Sequence, residues 1–204
     1  MNDKLKPKEV LIETASRLFK VRGYCGVGLN DIIEESGIPK GSLYHYFPEG
    51  KEQLAIAAIN NTKTLVMADI KRVFDSTSKL GAGSLIQALQ AYVYELAKMF
   101  GAGGDPIGSP IGTIAGEKHS TSEPIRSACE ATFKDWQAVY AERFLTAGYP
   151  QEQATSLATV FHALTEGGIL LALTMKSGKP LEAIAEQIPS LFTEKIDKNN
   201  HTTY

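Results

Sequence analysis

The residues best suited to chemistry in this 204-residue chain lie in one short stretch, Lys40-Gly41-Ser42-Leu43-Tyr44-His45-Tyr46-Phe47. On a helix, Leu43 and Phe47 fall at i and i+4 and share an inward face. Lys40, Ser42, Tyr44 and His45 are then turned outward. An ammonium, a short hydroxyl and flat rings with hydrogen-bonding tips suit DNA: Lys40 for phosphate or guanine, Ser42 for a base edge, Tyr44 and His45 for phosphate, sugar or a thymine methyl. Gly41 removes a side chain where the helix start must come close to the groove. Tyr46 completes the exposed stretch, and Lys51, just beyond it, is expected to reach a flanking phosphate. The bland alternative is a helical hairpin whose outer face happens to be aromatic. Two tyrosines and a histidine beside a glycine weigh against it.

Other residues could do chemistry but lack partners. His162 and Glu166, at i and i+4, face the same way and would make half of a metal or acid–base site. No third ligand stands at a recognisable spacing and HExxH is absent. No Ser or Cys sits in a nucleophile motif. The glycine-rich stretch Gly101–Ser109 has no preceding strand, no GxGxxG and no GK[ST], so it does not read as a phosphate loop. Cys25 and Cys129 are far apart with no CxxC, as two reduced thiols in a cytoplasmic protein would be. The reading is no catalysis, no cofactor and no metal.

The elements that must position Lys40–Tyr46 are legible on either side. Ile32 and Ile33 give a preceding helix its inward face, and Glu34 and Glu35 its solvated one. Gly37 stands where that helix must end in a left-handed conformation. Ile38 plugs the turn, and Pro39 opens the next helix. Two helices joined by so tight a turn form a helix-turn-helix. Before them, Pro7–Arg22 reads as a helix with Val10, Leu11, Ala15, Leu18 and Phe19 on one stripe. Gly23 ends it, and Tyr24 is expected to cover the small core.

The octapeptide KGSLYHYF after GIP resembles the recognition helix of the TetR family of bacterial repressors. The likeness runs from about Val10 to Ala57: an amphipathic helix, then GY, then a DI…SG helix, then this one. FPEGKEQLA has one residue more than the usual FxxKExL, which resembles the LmrA/YxaF-like branch. SPIGTIAGE, Ser109 to Glu117, is a second likeness to that branch, whose members tend to carry a Cys-Pro start there. One departure is clear: the family's usual Thr at the entry to the second helix, a cap and phosphate contact, is replaced by Val27-Gly28, where Gly28 is still an acceptable cap. The resemblance implies an all-α protein. A three-helix, homeodomain-like DNA-binding domain would occupy residues 1–50, a helical effector-binding and dimerisation domain 51–196, and a polar tail 197–204.

The rest of the chain agrees with that class. Hydrophobic residues make up 43% and charged ones 22%, ordinary for a globular protein. The net charge of −2 does not advertise a nucleic-acid binder. Met1–Lys51 carries +1 and the remainder −3, so positive groups must act locally. Helical patterns run over Lys51–Thr77, Leu85–Phe100, Pro110–Gly116 (one or two turns), Glu123–Ala147, Gln151–Lys176 and Leu181–Lys195, with a loop at Ser76–Ser84. No strand pattern appears, and no apolar run approaches the roughly 20 residues of a membrane span.

The last two helices carry more apolar surface than a monomer needs. Leu157, Phe161, Leu164, Gly168, Leu171, Ile184, Ile188 and Leu191 are expected at a twofold interface of two helices per subunit; an internal core kinked at Gly167 is the alternative. Aromatic and methionine residues on the middle helices either fill the core or line a cavity: Met67, Phe74, Tyr92, Met99, Phe133, Trp136, Tyr140 and His162. The function expected is a ligand-responsive homodimeric repressor of palindromic operator DNA, released by a small apolar or aromatic effector. A DNA-binding regulator without a switch is the alternative, and an all-α enzyme with a coincidental hairpin is third.

Overall fold

Punctuation by glycine and proline cuts the chain into helices at nearly the expected places. The computed structural model describes residues 6–78, 85–100 and 110–192, and every regular element among them is helical. These are α1 (Pro7–Arg22), α2 (Leu29–Ser36), α3 (Lys40–Tyr46), α4 (Lys51–Ser78), α5 (Leu85–Lys98), α6 (Pro110–Lys118), α7 (Glu123–Thr146), α8 (Gln151–Met175) and α9 (Lys179–Phe192). The N-terminal arm to residue 5, most of the Ser76–Ser84 loop, Gly101–Ser109 and the tail beyond Phe192 lie outside the described residues.

In α1, Leu11, Ala15, Leu18 and Phe19 are buried at helical spacing. Gly23 closes the helix, its N–H donating to the Phe19 carbonyl. Gly28 begins α2 and donates its N–H to Asp31 Oδ2 at 2.6 Å, so a carboxylate three residues on supplies the cap. Gly37 ends α2 at φ 67, ψ 9, the left-handed position expected of it. Two residues later Pro39 opens α3.

The 28-residue α4 serves both halves of the molecule, and at 1.5 Å per residue is about 42 Å long. Leu54, Ala55, Ala58 and Ile59 are buried near its start, where α4 packs on α1. Ile70, Val73 and Phe74 are buried near its end, where it meets α5 and α7. Beyond it, α7 packs on α8, α8 on α9 and α9 on α5. The short α6 is anchored by Ile111 and Ile114, both fully buried, and is a helix of nine residues rather than a turn or two.

The expected interface residues divide. Phe161 is fully buried inside the subunit, its ring 4.9 Å from that of Tyr140 and 5.9 Å from that of Phe192. Ile188 is also fully buried. Gly168 serves the crossing of α8 by α9: a Cβ there would come within 2.6 Å of Ile184 and 2.7 Å of Leu181. Leu157, Leu164 and Ile184 pack half-buried against the same core. Leu171 and Leu191 alone of the eight are exposed, at 48% and 51%. They are joined by Val160, Leu170 and Met175, also exposed. Apolar periodicity marked α8 and α9 as buried, but could not tell the face they turn to each other from the face they leave free.

By length and hydropathy alone α8 would suit a membrane span, although only a third of its most apolar window is buried. Its exposed apolar stripe accounts for both properties. Phe161→Ala is expected to cost about 3–5 kcal/mol in chemical unfolding, as for a core ring and not a surface one. Burial pushes the Cys129 thiol up to about 11, so at pH 8 an alkylating reagent should label the exposed Cys25 well before Cys129; mass spectrometry of the modified peptides reads the order.

Candidate nucleic-acid interface and cavity

Two fully or nearly buried anchors, Leu43 and Phe47, fix the roll of α3. Lys40, Gly41, Tyr44 and His45 are consequently exposed, and Ser42 and Tyr46 are half-exposed. Nothing lies within 4 Å of where a Gly41 Cβ would stand, so no contact inside the protein demands glycine there. The His45 and Tyr46 rings meet edge to face at 5.1 Å, and Lys40 Nζ lies 6.0 Å from the Tyr44 ring. The approach to α3 is held by the Gly37 turn and by the Ile38 N–H, which donates to Ser36 Oγ at 3.2 Å.

Lys51, just beyond α3, is half-buried. Its ammonium sits 4.0 Å from the centre of the Tyr24 ring, and burial lowers its pKa. Lys118 approaches the same ring at 5.3 Å. Burial, then the nearby Glu52 carboxylate, raises the pKa of the Tyr24 phenol. Tyr24 covers Phe19 as expected, at 5.5 Å, and Lys51 is occupied in covering Tyr24.

A cavity of 540 Å³ lies among α4, α5, α7 and α8 and reaches α1. Tyr92, Met99, Trp136, Tyr140 and His162 of the expected set line it. Met67, Phe74 and Phe133 do not. Phe74 packs between Tyr140 and the Arg143 guanidinium, with ring distances of 6.5 and 5.6 Å. Phe133 stands behind the wall, 6.0 Å from Trp136 and 5.1 Å from His162. Met67 is half-buried against the core.

Sequence reasoning missed the polar half of the lining. Asn61, Thr62, Thr165 and Glu166 join the wall, and Glu13, Arg17 and Lys20 bring α1 to it. The i, i+4 pairing of His162 with Glu166 was the only signal for any of these. The Tyr92 and Tyr140 rings lie 6.2 Å apart; burial pushes Tyr92 up to about 12 and Tyr140 well above its ordinary value. Trp136 Nε1 donates to the Lys63 carbonyl at 3.3 Å. His162 is 5% exposed, with Nδ1 3.3 Å from Gln137 Nε2. Its Nε2 is buried without a hydrogen bond, and the nearest partner is Glu166 Oε1 at 3.7 Å.

Among the described residues no three His, Cys, Asp or Glu side chains gather as a metal site would require. An apolar cavity with one free imidazole nitrogen and a carboxylate beside it can bind and orient a small molecule. Residues 11–58 match the family model for bacterial regulatory proteins, tetR family. Residues 85–187 match that for the C-terminal domain of LmrA/YxaF-like transcriptional regulators.

The chain belongs to the TetR family, in its LmrA/YxaF-like branch. It is 43% identical over 188 residues to the HTH-type transcriptional regulator YxaF of Bacillus subtilis, covering 92% of this chain and 96% of that protein. It is 42% identical over 184 residues to LmrA of the same organism, covering 90% and 95%. Reduced Escherichia coli NemR shares the fold, with a TM-score of 0.78 at 24% identity over 90% of this chain and 95% of that one. This TetR-family protein is therefore a DNA-binding transcriptional regulator, and its relatives are regulators rather than enzymes. Removing the Tyr44 side chain (Tyr44→Ala) should weaken specific duplex binding by about 1–3 kcal/mol, as loss of a base-edge or backbone contact does. Gel-filtration volume should not change; unchanged affinity in a mobility-shift titration would remove Tyr44 from the interface.

Proposed function

We propose that this regulator is a homodimeric repressor that binds palindromic operator DNA through α3 and lets go when a small apolar or aromatic effector fills the cavity. Residues 1–50 form its DNA-binding domain and 51–196 its effector and dimerisation domain. The observation that carries the reading is that one helix, α1, belongs to both: it packs in the three-helix unit and lines the cavity through Glu13, Ser16, Arg17 and Lys20. Arg17 also holds Glu35 of α2 at 2.7 Å, so an effector pressing on α1 presses on the element that precedes α3.

The dimer is formed by the free face of α8, with Val160, Leu170, Leu171 and Met175 exposed, together with Leu191 of α9. Two copies related by a twofold axis pair these stripes and present two recognition helices to half-sites about 34–36 Å apart. Repression is supported by a relative, the transcriptional repressor NemR of Escherichia coli, 28% identical over 184 residues and covering 86% of this chain and 88% of that protein. The repressor acts in the bacterial cytoplasm, where its operator is. A regulator without a switch is disfavoured by the cavity, since a filled core would serve it better.

To empty the operator, an effector must prefer the DNA-incompetent state by about 5 kcal/mol. Trp136 is the chain's one tryptophan and lines the cavity, so compounds can be screened on two signals at once. A true effector should quench or shift Trp136 fluorescence and raise the Kd for the operator duplex over the same concentration range. Loss of DNA binding with unaltered Trp136 emission would count against the cavity as the switch. Leu171→Glu should convert the dimer to monomer in sedimentation velocity while retaining its helical circular dichroism.

A further inference from the structure

The lining of the cavity carries charges of both signs, and its two arginines are each matched. Arg17 holds Glu35 at 2.7 Å. Arg72 holds Glu95 at 2.9 Å and lies 3.5 Å from Asp69. Glu166 differs. Among the described residues it forms no ion pair with a lysine or an arginine, and its one ionisable contact is His162, whose Nε2 lies 3.7 Å from Oε1. The backbone of α6 comes close to make this place, since a Cβ on Gly112 would stand 2.6 Å from Glu166 Oε2.

His162 does not supply the missing positive charge. An amide nitrogen can only donate, so the 3.3 Å contact from Gln137 Nε2 makes His162 Nδ1 an acceptor. An imidazole with an accepting nitrogen is neutral, and its proton sits on Nε2. That nitrogen is buried without a hydrogen bond, and Glu166 Oε1 at 3.7 Å is beyond the reach of one. Glu166 therefore sets a net negative charge in the cavity wall with no cation to match it.

Aromatic rings share this part of the wall. The His162 ring lies 5.9 Å from that of Trp136, edge to face, and 6.3 Å from that of Tyr140. Burial first, and the charge of Glu166 among the lesser causes, raise the pKa of both the Tyr92 and the Tyr140 phenol. The field of the carboxylate thus reaches both rings, and both phenols stay neutral at physiological pH. The face of an aromatic ring is itself electronegative. Carboxylate and ring faces therefore favour the same sign of charge in a ligand. An anion would meet Glu166 in surroundings that screen it poorly, and a neutral ligand would leave Glu166 unmatched.

We propose that the cavity takes an organic cation, a protonated amine or quaternary ammonium on an apolar or aromatic body, and that Glu166 is the residue that selects for it. This rests on the cavity being the effector site, and adds the sign of the effector's charge. Trp136, Tyr92 and Tyr140 receive the apolar body, and the carboxylate replaces water around the ammonium. His162, held neutral by Gln137, does not compete for that carboxylate.

Three probes built on one ring system test the assignment: naphthylmethyl-trimethylammonium, naphthylmethanol and naphthylacetate, each titrated into the whole chain by isothermal calorimetry. The ammonium should bind about ten-fold more tightly than the alcohol, the order expected of a desolvated cation over aromatic faces. The acetate should bind more weakly than either. Glu166→Gln keeps the shape of the side chain and removes its charge. It should weaken the ammonium by about ten-fold and leave the Kd of the alcohol unchanged, a split that loss of packing alone would not produce. Glu166→Asp, still charged, should retain part of the preference. Equal affinity of the wild-type protein for ammonium and alcohol, or a preference that survives in Glu166→Gln, overturns the proposal while leaving the cavity a small-molecule site. Binding of no probe overturns it and takes the effector reading with it. A selective ammonium site that leaves unchanged the Kd for a duplex chosen by the wild-type protein from a random-sequence pool upholds the assignment and sinks the switch instead.

Discussion

A three-helix unit as small as α1–α3 buries too little apolar surface to be stable by itself, and the packing of α1 on α4 is what resolves this. Leu11, Ala15, Leu18 and Phe19 on one side meet Leu54, Ala58 and Ile59 on the other, all buried or nearly so. The same α4 then continues into the second core through Ile70, Val73 and Phe74. The recognition unit therefore draws support from the helices that follow it. Its orientation is set by a helix whose other end belongs to the second core.

This shared dependence explains where the cavity lies. Aromatic rings cluster where α5, α7, α8 and α9 meet, around Phe161, Phe144 and Phe192, whose rings lie within 6 Å of one another or of their neighbours. Towards α1 the lining becomes polar, with Glu13, Ser16, Arg17 and Lys20. A 540 Å³ space forgoes dispersion contacts that a filled core would make, and His162 Nε2 adds a buried group left unpaired. Both are costs that a filled, fully paired core would not carry.

The halves are joined chiefly by the apolar packing of α1 on α4. A polar tie adds to it, the Cys25 N–H donating to Glu117 Oε2; being exposed, it contributes modestly.

Local chemistry makes α1–α3 legible in the residues themselves. Gly37, Pro39 and the Leu43–Phe47 pair act over one or two helical turns, where residue type alone decides conformation. The boundaries of the long helices follow for the same reason. Some assignments that needed to know which of two helices a residue faces did not hold. Phe161 and Ile188 carry the period of an interface residue and are core. Met67, Phe74 and Phe133 have the composition of a pocket and pack behind or beside it. The sequence determined that these helices form, where they stop and what α3 shows to solvent, because those outcomes depend on neighbours within about four residues. Only the tertiary structure decided which apolar faces meet inside the subunit, which polar groups are stranded at the cavity, and that α6 touches both halves. Those contacts join residues many tens of positions apart, and periodicity carries no information about partners at that distance.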